Sequence, residues 1–565
     1  MKSWGVVFAA ALVIALPFIF KKPPSAGTWK EGDPVLVVIS PHNEAIRFEL
    51  ASGFTQWHEE NYGKPVKIDW RTIGGTTEIV RYLDGETQAS FRGWWRNQGK
   101  AWPEGATLAL TDRHFNEQGA DPDLLAVRET LRNTDDPATF TTGIDLFFGG
   151  GEYDHSKVYR QGLTVNPWPS GIPVGLFETE EGDTLIPESL SGERWRGTGF
   201  VGTALSTFGI VYNADRLVDL GVKEAPENWE DLGDPVYAGQ LGVADPTTSG
   251  SIAKAFEMII HQQCHEAVQK AGFSKEQISR FEKELSLAPP GYQAAIEEGW
   301  VNGLHLVQRI GANARYFTDS AGKVPIDVSA GDAAVGLAID FYGRYQAETS
   351  RGPDGEERMF YVTPNGGSSV SCDPISLLRS APHRELAVRF IEYTLSVEGQ
   401  RLWNARPGTP GGTRKFALRR LPIRRDLYPS SNPEFQKVYQ ETASFNVDDL
   451  SDPGVNPYVL AESFSYHYRW TGSHFTIHRQ LIRAMCLDAG EELRAAWAAI
   501  REAGGPEAVP EAMEAMQTLP PGFTWTSALG PKYERGSEME VMREWVLFFR
   551  AQYEKARQLA EESHA

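Results

Sequence analysis

Short hydrophobic runs alternate with amphipathic stretches along most of this chain. Pro34 to Ser40 (PVLVVIS) is dense in β-branched residues and predicts a strand. The turn Pro41-His42-Asn43 ends it, and Ile46, Leu50, Phe54 and Trp57 then share one face of a helix reaching about Glu60. Val66 to Ile73 predicts a second strand. Gly74-Gly75-Thr76-Thr77 opens a second helix, with Ile79, Val80 and Leu83 turned inward. Ile144 to Phe148 predicts a third strand, ending in Gly149-Gly150-Gly151, where a backbone can approach a ligand closely. Repeated strand–turn–helix units argue an α/β sheet, and ligands in such sheets sit beyond the carboxyl ends of the strands.

A further unit stands out. Leu241 to Ala244 predicts a buried strand, Asp245 to Ser249 a hydroxyl-rich turn, and Ile252, Ala255, Phe256, Ile259 and Ile260 a helix face. Free backbone N–H groups and about half a positive charge from the helix dipole make such a turn a cup for an anionic or strongly polar group. A simple N-cap by Ser249 explains the same residues.

The remaining pattern is less regular. Gly85 to Phe140 reads as a mainly helical insertion whose tryptophans, Trp94, Trp95 and Trp102, serve a core. Gly197 to Gly202 matches GxGxxG by letter, but a strand and not a helix follows it, so no dinucleotide site is read there. Phe208 to Asn213 reads as a long strand crossing between two lobes, and Val324 to Val328 as a short strand. The apolar run Ala333 to Ile339 ends in Asp340-Phe341-Tyr342-Gly343. Met359 to Thr363 and Val370 to Leu377 return to strands, and Glu385 to Leu395 and Val397 to Trp403 to helices. Beyond Arg406 a Pro/Gly loop leads to a basic cluster, Arg414 to Arg425, read as a solvated or interlobe surface. An aromatic irregular section (Phe445 to Trp470) and helices follow.

Composition narrows the function. A chain of 565 residues predicts about two to four domains. A net charge of -20 argues against a nucleic-acid partner. Cys264, Cys372 and Cys486 lie too far apart for a zinc or redox motif. Trp4 to Phe20 is an apolar run between Lys2 and Lys21-Lys22, which reads as an export signal or an uncleaved membrane anchor within residues 1–32. Either reading puts the bulk of the chain in the periplasm or otherwise outside the cytoplasmic membrane, with membrane contact only through this segment. HExxH, GxSxG and P-loop motifs are missing from the sequence, and among the polar turns after the strands Ser40 and His42 are the only near Ser–His pair, so an enzyme is not expected.

Gly209 to Asn213, PENWEDL (Pro226 to Leu232), ADPTTSGS (Ala244 to Ser251), GDAAVGLAI (Gly331 to Ile339) and AVRFIEYTLSVEGQRLW (Ala387 to Trp403) resemble, in order and spacing, the extracellular solute-binding proteins of ABC importers. The similar group holds the ferric-iron, thiamine, phosphosugar and phosphonate binders, and the resemblance covers roughly Pro34 to Trp403. It implies an α/β, two-lobed type II periplasmic-binding fold with hinge strands. Lobe 1 would be residues 33–200, with the insertion 85–140, completed by 365–405. Lobe 2 would be 201–364, and 406–565 a helical C-terminal extension. It further implies a small solute held between the lobes, an ABC permease as partner, no cofactor, and closure by hinge motion.

Carried onto this sequence, the cleft residues expected are Ser40, His42, Gly75, Thr76, Gly149, Gly150, Ser206, Thr207, Ser249, Gly250, Ser251, Asp340 and Tyr342. Ferric binders of the family end the strand after the GDAAVG stretch in two adjacent tyrosines. Here only Tyr342 matches, so His42 and Tyr342 would have to serve iron with fewer anionic oxygens than Fe(III) wants. A phosphate or carboxylate at the Ser249 cup, with a hydroxyl or amine at Asp340, is the alternative implied. A cleft enzyme and a membrane-tethered solute sensor remain the rival readings.

Overall fold

The computed structural model describes residues 29–112, 115–352, 355–530, 533 and 538–564, so the export-signal or anchor reading of Trp4 to Phe20 lies outside the described residues. No helix among the described residues is long and apolar enough to cross a membrane.

Two mixed sheets form the body. The first uses β1 (Val35–Ile39), β2 (Lys67–Arg71), β3 (Leu146–Phe148) and β4 (Phe200–Ser206). The second uses β5 (Phe208–Asn213), β6 (Leu241–Ala244), β7 (Ala314–Thr318), β8 (Val335–Ile339) and β9 (Met359–Val362). The chain then returns to the first sheet with β10 (Ser371–Leu378) and β11 (Leu421–Pro422). The first sheet runs β11-β4-β10-β3-β1-β2, and the second β7-β6-β8-β5-β9. β1 pairs parallel with β2 and β3, and β6 parallel with β7 and β8, so the turns after these strands share one edge of each sheet. β4 and β10 are antiparallel partners, as are β5 and β9, and they carry the chain between the sheets. This is the two-lobed α/β fold expected from the sequence.

The strand expected at Phe208 to Asn213 forms with those bounds as β5, but it lies wholly in the second sheet and does not itself cross. β4 stays in the first sheet, β5 in the second, and Thr207 is the crossing residue. Thr207 Oγ1 lies 3.2 Å from Thr363 Oγ1 on the returning strand, and Ser368 Oγ accepts from Phe208 N at 2.8 Å. Val324 to Val328, expected as a strand, lies in helix Lys323–Ala330. Its β-branched residues suggest a strand, but Pro325 suits a first helical turn, and Gly331 closes the helix in the left-handed region at φ 81°. The GxGxxG letters at Gly197 to Gly202 run straight into β4, as a non-nucleotide reading requires.

Helices Gly250–Lys270 and Pro290–Asn313 form the densest packing of the second lobe. A Cβ on Gly299 would fall 2.4 Å from Cys264 Cα, and one on Gly303 2.6 Å from Ile260 Cα, so glycine lets the two backbones touch. The C-terminal helices pack on the far side of this pair. Trp300 Nε1 donates to His478 Nε2 at 2.7 Å, and Trp497 Nε1 to Asn313 Oδ1 at 2.7 Å. The insertion carries its own small core, in which Trp94, Trp95 and Trp102 surround Phe91 and Phe140.

Candidate functional site

A cavity of about 890 Å³ lies between the two sheets. His42, Gly75, Thr76, Gly150, Ser206, Ser249, Gly250, Ser251 and Tyr342 of the expected residues line it. Three helices begin at its wall. Helix Thr76–Asn97 starts behind Gly75, and helix Glu152–Arg160 behind Gly151, both without a side-chain cap. Helix Gly250–Lys270 starts behind Ser249, whose Oγ accepts from Ile252 N at 3.3 Å. Each start leaves backbone N–H groups without intrahelical acceptors. Turns from the two lobes meet here: a Cβ on Gly75 would lie 3.1 Å from the Thr248 carbonyl oxygen, and one on Gly250 3.3 Å from Thr76 Oγ1.

The floor of the cavity is a buried charge cluster centred on Asp373. Its Oδ2 meets His42 Nε2 at 2.7 Å and the Arg420 guanidinium, and its Oδ1 accepts from Gly150 N at 3.0 Å. Arg420 also donates to Ser206 Oγ at 2.9 Å and lies over the Phe341 ring. Burial alone would raise the Asp373 carboxyl, but Arg420 and His42 outweigh it and hold it down at about 2. Arg420 belongs to the basic cluster expected on a solvated or interlobe surface, and it lines the cavity between the lobes. It is buried here, as is Arg424 against Asp426, because β11 inserts this segment beside β4. Arginine count suggested a solvated face, while the strand register turned these two inward.

A second cluster closes another side. Lys254 Nζ lies 2.9 Å from Glu193 Oε1 and 3.0 Å from Glu257 Oε2, joining the two lobes across the cavity. Tyr466 OH donates to Glu257 Oε1 at 2.6 Å. Burial raises the Glu193 carboxyl, and the two carboxylates outweigh burial to raise Lys254. Asp154 is also at the wall, and burial raises its carboxyl.

Four expected residues do not line the cavity. Ser40 is buried behind it, its Oγ accepting from the His42 amide at 3.1 Å, while the His42 ring turns to Asp373 instead of to Ser40. Gly149, at φ 98°, carries the chain tightly past the His42 ring. Thr207 is the crossing residue. Asp340 begins helix Asp340–Thr349 rather than ending a strand, and its carboxylate binds Arg344 Nη2 at 2.6 Å and Phe341 N at 2.8 Å. Asp340 is thus taken up by Arg344, while Glu152 (held by Arg194), Asp154 and Glu193 (held by Lys254) are carboxylates on the cavity wall itself. Sequence reasoning missed these three, together with Asp373, Lys254 and Arg420. Only the run of charges around Glu152 to Asp154, at a helix start, offered a local signal.

Gly150 tests the turn directly. Its φ is 108°, and an added Cβ would sit 2.1 Å from Thr76 Cγ2. Gly150→Ala is expected to cost about 1–3 kcal/mol through its backbone alone, read as a lower urea midpoint.

Fold and cavity together define a two-lobed α/β protein with a ligand-sized site between its lobes. Residues 174–446 match the family of bacterial extracellular solute-binding proteins. An uncharacterised protein of Haemophilus influenzae is 23% identical over 261 residues, 46% of this chain and 60% of that protein. The chain thus spans about three fifths of the length of this curated relative. Among solved structures, the periplasmic binding protein AfuA from Actinobacillus pleuropneumoniae, with fructose-6-phosphate bound, is 16% identical. The match covers 66% of this chain and 82% of that one, at a TM-score of 0.41. Iron-bound HitA from Pseudomonas aeruginosa is 15% identical over 80% of this chain and 99% of that one, also at 0.41. The substrate-binding protein of an ABC transporter from Agrobacterium tumefaciens is 14% identical over 77% and 91%, at 0.43.

Over residues 174–446 this chain resembles the bacterial extracellular solute-binding proteins. The matched stretch runs past Trp403, the end of the resemblance read from the sequence, and includes Arg420.

Proposed function

We propose that the protein is the extracytoplasmic substrate-binding component of an ABC importer. It captures a small polar solute bearing a phosphate, phosphonate or carboxylate group in the cavity between its lobes, and hands it to a permease. The supporting observation is the convergence of three helix starts, at Gly75, Gly151 and Ser249, on one cavity wall. Unpaired N–H groups and helix dipoles favour an anion there. Glu152, Asp154 and Glu193 on the same cavity suit a hydroxyl or ammonium on the rest of the solute. The chemistry of the site favours this over ferric iron. Burial raises the Tyr342 phenol, which disfavours the phenolate, and His42 Nε2 is engaged by Asp373. Among the described residues no group of three or more His, Cys, Asp or Glu is placed to hold a metal ion.

Thermal unfolding in the presence of sugar phosphates, phosphonates, thiamine, polyamines and ferric citrate tests the reading. A phosphorylated or phosphonate compound at a hundredfold excess over Kd is expected to stabilise the protein by about 2.7 kcal/mol and raise Tm visibly. A shift with ferric citrate that citrate without iron does not give would replace the anion reading by an iron one. Unchanged melting across the whole panel would count against solute capture.

A further inference from the structure

The segment Phe464 to Ile482 lies far beyond the second sheet in sequence, yet it borders the cavity and touches both lobes. Tyr466, Tyr468, Gly472 and Phe475 line the cavity. Tyr466 is seated on the first lobe, where its N donates to Ser191 O at 2.8 Å, and on the second, where its hydroxyl donates to Glu257. Thr471 Oγ1 also donates to Glu257, at 2.9 Å, and meets His261 Nδ1 at 2.8 Å. Helix Phe475–Ile482 then crosses the place where the lobes meet. Arg479 donates to Pro246 O at 2.6 Å and Thr247 O at 2.7 Å in the second lobe, and to Thr77 Oγ1 at 3.1 Å in the first. Thr476 Oγ1 pairs with Tyr153 OH of the first lobe at 2.8 Å, beside a ring contact between Tyr153 and Phe475.

One guanidinium therefore holds the helix-start turns of both lobes, Thr76-Thr77 and Asp245 to Ser249, at the spacing seen across the cavity. A hinge that opens the lobes must break these bonds or carry this segment away with one lobe. An arginine fork suits such a clamp, since its donors leave in fixed directions and can serve several carbonyls at once.

We propose that Phe464 to Ile482 is a latch and third wall of the cavity. It holds the lobes closed before solute arrives, solute enters by its undocking from the first lobe, and Tyr466, Tyr468 and Phe475 then contact the solute. The wall part of this proposal rests on the solute-binding reading, whereas the latch part is a property of the free protein. Spin labels at Lys64→Cys and Lys270→Cys, exposed positions on the two lobes, report lobe separation in the full chain by pulsed electron resonance without any ligand. The three native cysteines are buried and compete little for the label.

The unmodified latch is expected to give one narrow distance distribution. Arg479→Ala should broaden it and move it to longer distances. The gentler Thr476→Val, which removes only the bond to Tyr153, should do so partially. Distributions identical in wild type and both variants, with the far-ultraviolet circular dichroism unchanged, would overturn the latch. The wall is tested with the sugar phosphate or phosphonate giving the largest thermal shift on wild type. Tyr468→Ala is expected to weaken that compound at least tenfold, and unchanged affinity would overturn the wall. Should no compound shift wild type while the distances still respond to Arg479→Ala, the solute-binding reading and the wall resting on it fail and the latch stands.

Discussion

Asp373→Asn is expected to destabilise the protein by about 3–5 kcal/mol, the cost of leaving a buried charge without its partner. Asp373 and Arg420 are both almost fully buried, and one carboxylate holds Arg420, His42 and the Gly150 amide together. Without its charge, Arg420 is left with Ser206 and the Phe341 and Trp403 rings. Urea unfolding reads the loss as a lower midpoint at similar slope. Arg420→Met added to Asp373→Asn should recover part of it, because the stranded cation is then gone. A single variant as stable as wild type would mean that this cluster contributes little.

The same carboxylate sets a pH dependence. Its folded-state value, about 2, lies below the ordinary 3.8, so folding favours the ionised form. Its stabilising contribution is fully present above about pH 4 and is lost as pH falls toward 2. Asp373→Asn should flatten the stability profile across that window, measured as urea midpoints at stepped pH.

Gly303→Val is expected to cost about 3 kcal/mol, the upper end of overpacking penalties. The first added carbon would already lie 2.6 Å from Ile260 Cα, a backbone atom that cannot rotate away. Helices Gly250–Lys270 and Pro290–Asn313 must then separate. The first of these begins at the Ser249 cup, so the shift reaches the cavity wall, and solute affinity should fall along with stability. Urea unfolding and a titration on the same variant check both. Lost stability with intact affinity would show that the cup is positioned by its turn rather than by the helix behind it.

β1 and β3 were legible because strands buried on both faces leave dense apolar runs, as in VLVVI and LFF. The turns after these strands were legible for the same reason, being small, polar and fixed at one sheet edge. Residues that reach the cavity through distant pairing were not. Arg420 is inward only because Leu421–Pro422 pairs with β4, more than two hundred residues earlier in the chain. Asp373 sits in a strand whose local pattern gives no sign that Arg420 and His42 converge on it. Asp340 read as a cleft residue at a strand end, but the chain turns into helix at that residue and Arg344, one turn on, takes its carboxylate. Tyr466 and Arg479 were illegible at the cavity, since neither an irregular aromatic stretch nor an amphipathic helix carries a record of which lobe it packs on.

The central claim is that the cavity between the lobes holds an anion-bearing solute at the helix starts. A crystal structure of the protein with the compound giving the largest thermal shift tests it most directly. The compound's anionic group is expected within hydrogen-bonding distance, about 2.7–3.2 Å, of the amides around Gly75, Gly151 and Ser249 to Ser251. A compound bound outside this cavity, or bound in it with its anionic group turned away from all three helix starts, would contradict it.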